Sequence, residues 1–313
     1  MTSPGHQAVP AILAKPGRYR ARRWRPILLV RYLYLLPMVV LVGAFLLYPA
    51  ADTFWISFTN WNGLNNAAFI GLGNYARLFS DPVFTTSFVN TLLWVVGVLM
   101  LQVALGLLMA IVLSTIWGGT LLKTIFYLPA TISAAATGVI WYFMFAPNEG
   151  VLNTFLRLIH LGALAQGWLA TPPLNTWAMI VAATWQGLGP TMMLFLVGLQ
   201  NIPKDAVEAA LIDGAGGARL FRYITLPLLR PMATIVVGIA LINSFKVFDL
   251  IWVMTQGGPY RSSETLAVTM YRAAFVSFQL GYGASVAIVL SVIVLGISVF
   301  YLRAMFRKDV GVY

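Results

Sequence analysis

The chain has 313 residues, 60% of them hydrophobic and only 9% charged, whereas soluble globular domains carry roughly a quarter charged residues; this excludes a large soluble core and points to an integral membrane protein. The net charge of +11 lies mainly beside apolar runs, which favours membrane orientation over nucleic-acid binding. No cysteine is present, so disulfides, thiolate metal sites and thiol catalysis are excluded; the two histidines, His6 and His160, are far apart, and there is no Walker A phosphate loop.

Residues 1–30 hold Pro4, Pro10, Pro16 and Pro26 among basic residues, which predicts a cytoplasmic, mostly disordered tail with a surface helix near 17–25. A helix needs about 20 apolar residues to cross a ~30 Å hydrocarbon layer. Six runs meet this, near 32–55, 86–114, 122–145, 176–199, 229–255 and 281–303. They are too long and too continuously apolar for the alternating segments of a membrane barrel. The expectation is therefore an all-α membrane protein with six transmembrane helices in one domain, 31–305, followed by a short tail, 306–313. The first run has a basic start and small residues at Ala50 and Ala51, but it exceeds the ~7–15 residue core of a cleaved signal peptide, so it is read as retained. No internal repeat is visible, which weighs against paired inverted halves.

Positive charge in short flanking segments sets orientation. One side collects Lys15, Arg18, Arg20, Arg22, Arg23, Arg25 and Arg31 in the first tail, then Lys123, Lys204, Arg219, Arg222 and Arg230, and Arg303, Arg307 and Lys308 at the end. The other side has Arg77, Arg157, Arg261 and Arg272, while Lys246 lies within a span. The asymmetry places both termini and the 200–228 loop in the cytoplasm.

That loop is the most informative segment. Pro203 suits the first turn of a helix, with Asn201 as a cap. Val207, Ala210 and Leu211 then form one apolar face, and Gly214 can end the helix in the left-handed conformation. A second short helix follows Gly216-Gly217, with Leu220, Phe221 and Ile224 on one side and Pro227 redirecting the chain. The prediction is a helix–turn–helix along the membrane surface. Ala209 and Ala210 permit close approach by a partner, and Glu208 offers a carboxylate that a partner arginine can grip through two hydrogen bonds. An ordinary amphipathic surface loop with a solvated glutamate fits the same spacing.

The pattern Glu208-Ala209-Ala210, three residues, Gly214, nine residues, Ile224-x-Leu226-Pro227 resembles the signature of permease subunits of binding-protein-dependent ABC importers, and Asp213-Gly214-Ala215 fits it too. Phe58-Thr59-Asn60-Trp61, Gly71-Leu72-Gly73-Asn74-Tyr75, Trp185-Gln186-Gly187, Gly198 to Pro203, and Phe248-Asp249 followed by Gly257-Gly258-Pro259 are similar to the sugar-type members, which serve maltose, other oligosaccharides and glycerol-3-phosphate. The resemblance implies the type I importer permease fold. It implies a coupling helix at about 203–213 that docks on an ATPase subunit, with Glu208, Ala209, Ala210, Asp213, Gly214, Ile224, Leu226 and Pro227 forming the coupling motif. It also implies as partners a second permease, two ATPase subunits and an extracytoplasmic binding protein. ATP and Mg would be used by the ATPases, with no cofactor, metal or catalytic residue on this chain, in a bacterial-type inner membrane.

Polar groups within spans usually face a partner, a cavity or the bundle interior. Asn243, Ser244, Lys246 and Asp249 fall in the fifth run, and Lys246 and Asp249, at i and i+3, can pair on one helix face. Such a stripe is read either as part of a substrate path or, for Lys246–Asp249, as a structural ion pair. In the fourth run, Trp185, Gln186 and Thr191 lie near Gly187, Gly189 and Pro190, which can distort a helix and expose carbonyls to a cavity. Trp185 is read as a sugar-stacking ring or as plain packing, and Tyr142 as a weaker candidate. Gly106, Gly238, Gly281 and Gly283 permit close helix approach. In the long connections 146–175 and 256–280, Glu149, Asn153, Trp168, Arg261 and Glu264 are read either as receiving a binding protein or as solvated loop residues. Two rival functions are a self-sufficient secondary transporter using a Lys246/Asp249 relay and a membrane enzyme; the latter needs clustered acids or histidines, and none are seen.

Overall fold

The computed structural model describes residues 25–309 apart from 65, 117 and 118. The expected disordered tail and nearly all of the helix expected at 17–25 lie outside the described residues. The chain forms two units, residues 1–51 and 52–313. Most of the first unit's described part belongs to helix α1, Leu33–Ile56, whose apolar window has no buried residue. A helical stretch that is apolar all round with no packed face suits hydrocarbon rather than water.

The second unit is almost wholly helical; among the described residues its extended pairing is one isolated bridge, Thr59 to Phe69. Helix α2 is Gly73–Ser80. Helix α3, Pro82–Thr115, is capped by Asp81, whose Oδ1 accepts from the Val83 N–H at 2.9 Å, with Pro82 in its first turn. Helices α4, Gly119–Thr131, and α5, Ala134–Met144, meet at 101°. Helix α6 is Val151–Leu158 and α7 is Leu174–Gln200. Helix α8 is Lys204–Ile212, and α9, Gly217–Leu228, meets α10, Arg230–Phe245, at 71°. Then come α11, Asp249–Met254, α12, Leu266–Val276, and α13, Leu280–Arg303.

Helix α7 is the central post. It packs against α3, α4, α5 and α10, and Met179, Ile180, Ala182, Met192 and Phe195 along it are almost fully buried. The glycines expected to allow close approach sit where they must: Gly106 against Thr191, Gly238 against Tyr301, Gly281 against the Thr59 carbonyl and Gly283 against Ala274. At 1.5 Å per residue, the 27 residues of α7 separate its two ends by about 40 Å. One end gathers the 57–81, 146–173 and 255–281 connections; the other carries 201–229.

Two of the six expected spans are not continuous helices. The run 122–145 breaks at Ile132–Ser133, where Pro129 sits in a 3₁₀ turn, Leu128–Thr131, and the Ser133 side chain accepts from the Ala136 N–H to start α5 afresh. The run 229–255 ends its first helix at Phe245 and restarts at Asp249. Continuous hydropathy does not register such breaks, because the residues on both sides stay apolar.

The connections opposite 201–229 are not simple solvated loops. Asn153 is 1% exposed; its Nδ2 donates to the Pro147 and Gln166 carbonyls, and its Oδ1 accepts from Trp168 Nε1 at 2.8 Å. Glu264 is fully buried and accepts from Arg261 Nε and Nη2 at 2.9 and 2.8 Å, Arg272 Nε at 2.7 Å and Thr269 Oγ1 at 2.8 Å. Hydrogen bonding to Glu264 raises the Arg261 pKa above its ordinary value. Sequence polarity alone could not separate these buried polar hubs from solvated loop residues such as the exposed Glu149.

Candidate functional site

A cavity of about 450 Å³ opens midway along the bundle, between α3, the α4–α5 break, α7 and the α10–α11 break. This falls within the range of small-molecule sites. Its polar lining includes Gln102, Gln186, Asn243, Lys246 and Asp249, and its walls include Trp94 and Phe248. The two broken helices shape it. At the α4–α5 break, Gln186 Nε2 donates to the freed Ile132 carbonyl at 2.6 Å, the kind of rescue that non-helical backbone needs at membrane depth. Gly189 lets α4 reach α7: a Cβ there would lie 2.4 Å from the Phe126 carbonyl oxygen.

The α10–α11 break separates Lys246 from Asp249. Lys246 caps α10 and Asp249 opens α11, so they do not share a helix face, and no salt bridge joins them. The expected i, i+3 pair is therefore corrected. Asn243, Lys246 and Asp249 are exposed to the open side of the cavity. Ser244 is 3% exposed, and its hydroxyl donates to the Ala240 carbonyl of its own helix.

Trp185 and Thr191 do not line the cavity. The Trp185 ring meets Trp141 edge-on, with centroids 5.9 Å apart, and Thr191 Oγ1 accepts from Gln102 Nε2 at 2.9 Å. Nor do Gly187, Gly189 and Pro190 unwind α7, which runs through them unbroken. Instead, the two glycines admit neighbours, Gln102 at Gly187 and the α4 backbone at Gly189. Tyr142 lines a separate cavity of about 340 Å³ nearer the 146–170 connection, with Phe145, Leu169 and Pro259.

Sequence reasoning passed over Gln102 and Trp94. Gln102 is the one amide within the apolar run 92–113, a signal that was available. Trp94 is 1% exposed and its indole N–H has no hydrogen-bond partner among the described residues. Only the fold places it on the cavity wall. A groove of about 240 Å³ between α10 and α13 is lined by side chains such as Ile235, Ile239, Ile242 and Ile297; it offers hydrocarbon and no polar solute site.

The second element is α8, at the other end. Pro203, not Asn201, occupies its N-cap position, and Asn201 instead closes α7 through its own N–H. Gly214 takes the left-handed conformation (φ +79°). Its N–H donates to the Leu211 carbonyl, and the Ala215 N–H donates to the Ala210 carbonyl at 2.8 Å. This is a Schellman cap, so the chain ends α8 where the sequence predicted. Val207 is half-buried and Ala210 buried, whereas Leu211, expected on the same face, is 53% exposed. Glu208, Ala209 and Asp213 are exposed, Ile212 is 86% exposed, and the Glu208 carboxylate has no partner among the described residues. Ile224 and Pro227 are half-buried in α9 and Leu226 is on its surface. The element is a longer helix than expected, with a π-helical stretch at Phe221–Thr225.

Residues 102–312 match the model of the binding-protein-dependent transport system inner membrane component family. The chain belongs to this family. As a member it is a multi-pass membrane permease of an ABC importer, as the Glu208–Pro227 signature implied. It is 36% identical to a probable ABC transporter permease protein of Pyrococcus horikoshii, over 88% of this chain and 96% of that one. It is 31% identical to AmyD of Thermoanaerobacterium thermosulfurigenes, a probable starch degradation products transport system permease protein, over 89% and 94%. Its fold is similar to that in the crystal structure of the bacterial alginate ABC transporter in complex with alginate pentasaccharide-bound periplasmic protein, with a TM-score of 0.77 and 23% identity over 87% of this chain and 92% of that one. The comparisons give no support to a self-sufficient secondary transporter using a Lys246/Asp249 relay.

Proposed function

We propose that this permease carries a sugar, oligosaccharide or sugar-like solute into the cytoplasm, with both termini and the 201–229 end on the cytoplasmic side, in a bacterial-type inner membrane. The assembly comprises a second permease, two ATPase subunits and an extracytoplasmic binding protein. This chain does no covalent chemistry; ATP and Mg are bound and used by the ATPase subunits.

The observation that carries the reading is α8. It is a capped, fixed helix whose Glu208, Ala209 and Ile212 face outward without partners among the described residues, a surface suited to seat in another protein. Glu208, Ala209, Ala210, Asp213, Gly214, Ile224, Leu226 and Pro227 form the coupling element. ATP-driven closure of the ATPases moves α8, and the chain responds by favouring one access state; the contact must differ between nucleotide states to do so.

Gln186, Asn243, Lys246 and Asp249 belong to the solute path, joined by Gln102 and Trp94. Ser244, Trp185 and Thr191 support its walls. A lone lysine or aspartate at mid-membrane costs roughly 2.5–3.5 kcal/mol on insertion scales. With Lys246 and Asp249 both open to one side, the second permease is the natural cover, enclosing a wet path between the two chains. Amides and aromatic walls suit a polyhydroxyl solute. Relatives such as AmyD support the sugar class.

Co-purification from native membranes tests this reading. An ATPase and a second permease should accompany the wild-type chain and be lost with Glu208→Lys. A wild-type chain that purifies alone and still moves solute in liposomes would overturn the reading.

A further inference from the structure

We propose that the groove between α10 and α13 binds an anionic phospholipid of the cytoplasmic leaflet, with one acyl chain lying in the groove and the phosphate held by Arg230 and Arg303. This rests on the reading above for which side of the membrane is cytoplasmic.

The dimensions of the groove select its occupant. Ile235, Ile239, Ile242 and Leu302 line it and are 38–48% exposed, so its apolar wall faces something other than this chain. It runs from Thr234 to Phe245 on α10 and from Leu302 back to Val294 on α13. These eight to eleven residue steps, at 1.5 Å each, span about 12–16 Å. That is roughly half of the ~30 Å hydrocarbon layer, the depth of one leaflet. The volume of about 240 Å³ spread over this length gives a cross-section of roughly 15–20 Å², the girth of a single hydrocarbon chain. A spanning helix, 10–12 Å across, would need roughly 80–110 Å² and about 20 residues of length.

The two helices are tied together at the cytoplasmic end of the groove. The Tyr301 hydroxyl donates to the Thr234 carbonyl. Gly238 lets the Tyr301 ring lie against α10, since a Cβ there would come within 3.1 Å of it.

Positive charge gathers at the same end. Arg230 stands one turn before Thr234 on the same stripe of α10, and Arg303 follows Leu302 on α13. Both are exposed, and neither makes a salt bridge among the described residues. Residues 230–245 and 280–303 contain no acidic residue. The 71° bend from α9 into α10 puts Arg230 at the elbow where the chain enters the membrane, at headgroup depth. Guanidinium groups match phosphate oxygens through paired hydrogen bonds, and basic pockets between spans on the cytoplasmic side take anionic headgroups. A zwitterionic lipid would bring its own cation beside the two arginines. Asn243 and Ser244 of the same helix line the solute cavity, so a lipid seated here braces the helix that joins the coupling element to that cavity.

The test titrates the purified wild-type assembly in neutral detergent with phosphatidylglycerol carrying a photoactivatable acyl chain, against phosphatidylcholine with the same chains. Phosphatidylglycerol labelling should saturate and map to the groove walls on α10 and α13, with phosphatidylcholine needing a several-fold higher concentration. Arg230→Gln and Arg303→Gln should each weaken phosphatidylglycerol about fivefold and leave phosphatidylcholine unchanged. Ile239→Trp fills the groove without touching the charge, so it should remove the labelling of α13 while the melting of the assembly is unchanged. Equal labelling by the two lipids, labelling spread evenly to other exposed residues of α13 such as Val292 and Phe300, or a photo-crosslinking side chain at 239 that captures the second permease would each overturn the site. Orientation is read separately. The chain has no cysteine, so Ile212→Cys should react with an impermeant maleimide from the cytoplasmic side only; reaction from the outer side would overturn the orientation, and with it the assignment to the cytoplasmic leaflet, whatever the lipid labelling shows.

Discussion

Two glycines of α7, only two positions apart, should respond very differently to one added methyl group. At Gly187 a Cβ would lie 2.5–2.6 Å from the Gln102 amide atoms; at Gly189 it would lie 2.4 Å from the Phe126 carbonyl and 2.6 Å from Tyr127 Cα. Alanine gains about 1 kcal/mol over glycine inside a helix. In Gly187→Ala the flexible end of Gln102 swings away and gives up its 2.9 Å bond to Thr191, a loss of about 1 kcal/mol, so the net change is near zero. In Gly189→Ala the obstacle is backbone, held beside the α4–α5 break. Moving it by about 1 Å is an overpacking cost of roughly 1–3 kcal/mol. It also strains the Gln186–Ile132 hydrogen bond, worth about 1 kcal/mol more. The difference between the two variants is about 2 kcal/mol, or roughly 4–8 °C in midpoint at the scale of a domain this large. Thermal unfolding of the purified assembly, followed by tryptophan fluorescence, measures it. Equal midpoints for the two variants would refute the tight apposition of α4 and α7 on which the cavity depends.

Three further outcomes follow from the same geometry. Glu264→Gln takes the carboxylate charge from Arg261 and Arg272, whose side chains are partly exposed, and should cost about 1.5–3 kcal/mol, seen as a fall in unfolding midpoint and early proteolysis in the 255–280 segment. Asn153→Ala strands the Trp168 N–H and the Gln166 carbonyl and leaves the Pro147 carbonyl only its bond from Arg157; it should cost about 1–3 kcal/mol, read by the same melts, with solute affinity unchanged. Asp249→Asn and Lys246→Gln remove charges that have no ion-pair partner among the described residues from the open side of the cavity, so each should weaken solute transport while leaving the midpoint within about 0.5 kcal/mol, as for surface changes; a large destabilisation by either would mark it as structural instead.

Much of this was legible in the sequence because its cause is local or compositional. Long apolar runs gave the spans, and the Gly214 cap gave the end of α8. The spacing from Glu208 to Pro227 gave the family. What was not legible depends on three-dimensional closure. The α10–α11 break, Lys246-Val247-Phe248, carries no glycine or proline to mark it, so a continuous helix wrongly set Lys246 beside Asp249. Trp185 and Thr191 carry suitable chemistry but turn toward Trp141 and Gln102, and their spacing holds no trace of that. Glu264 and Asn153 look like loop polarity until their partners, 8 and 15 positions away or more locally spaced, come together. These polar residues are hidden in the sequence because their hydrogen bonds form only when the irregular connection around each of them folds back on itself.

The most direct measurement of the central claim is solute uptake into liposomes by the reconstituted assembly, using a labelled maltooligosaccharide series, with ATP supplied on the α8 side and binding protein on the other. Uptake should require both, and should be abolished by Glu208→Lys in this chain while binding of the solute to the binding protein persists. Uptake by this chain alone, without ATP or ATPase subunits, would contradict it.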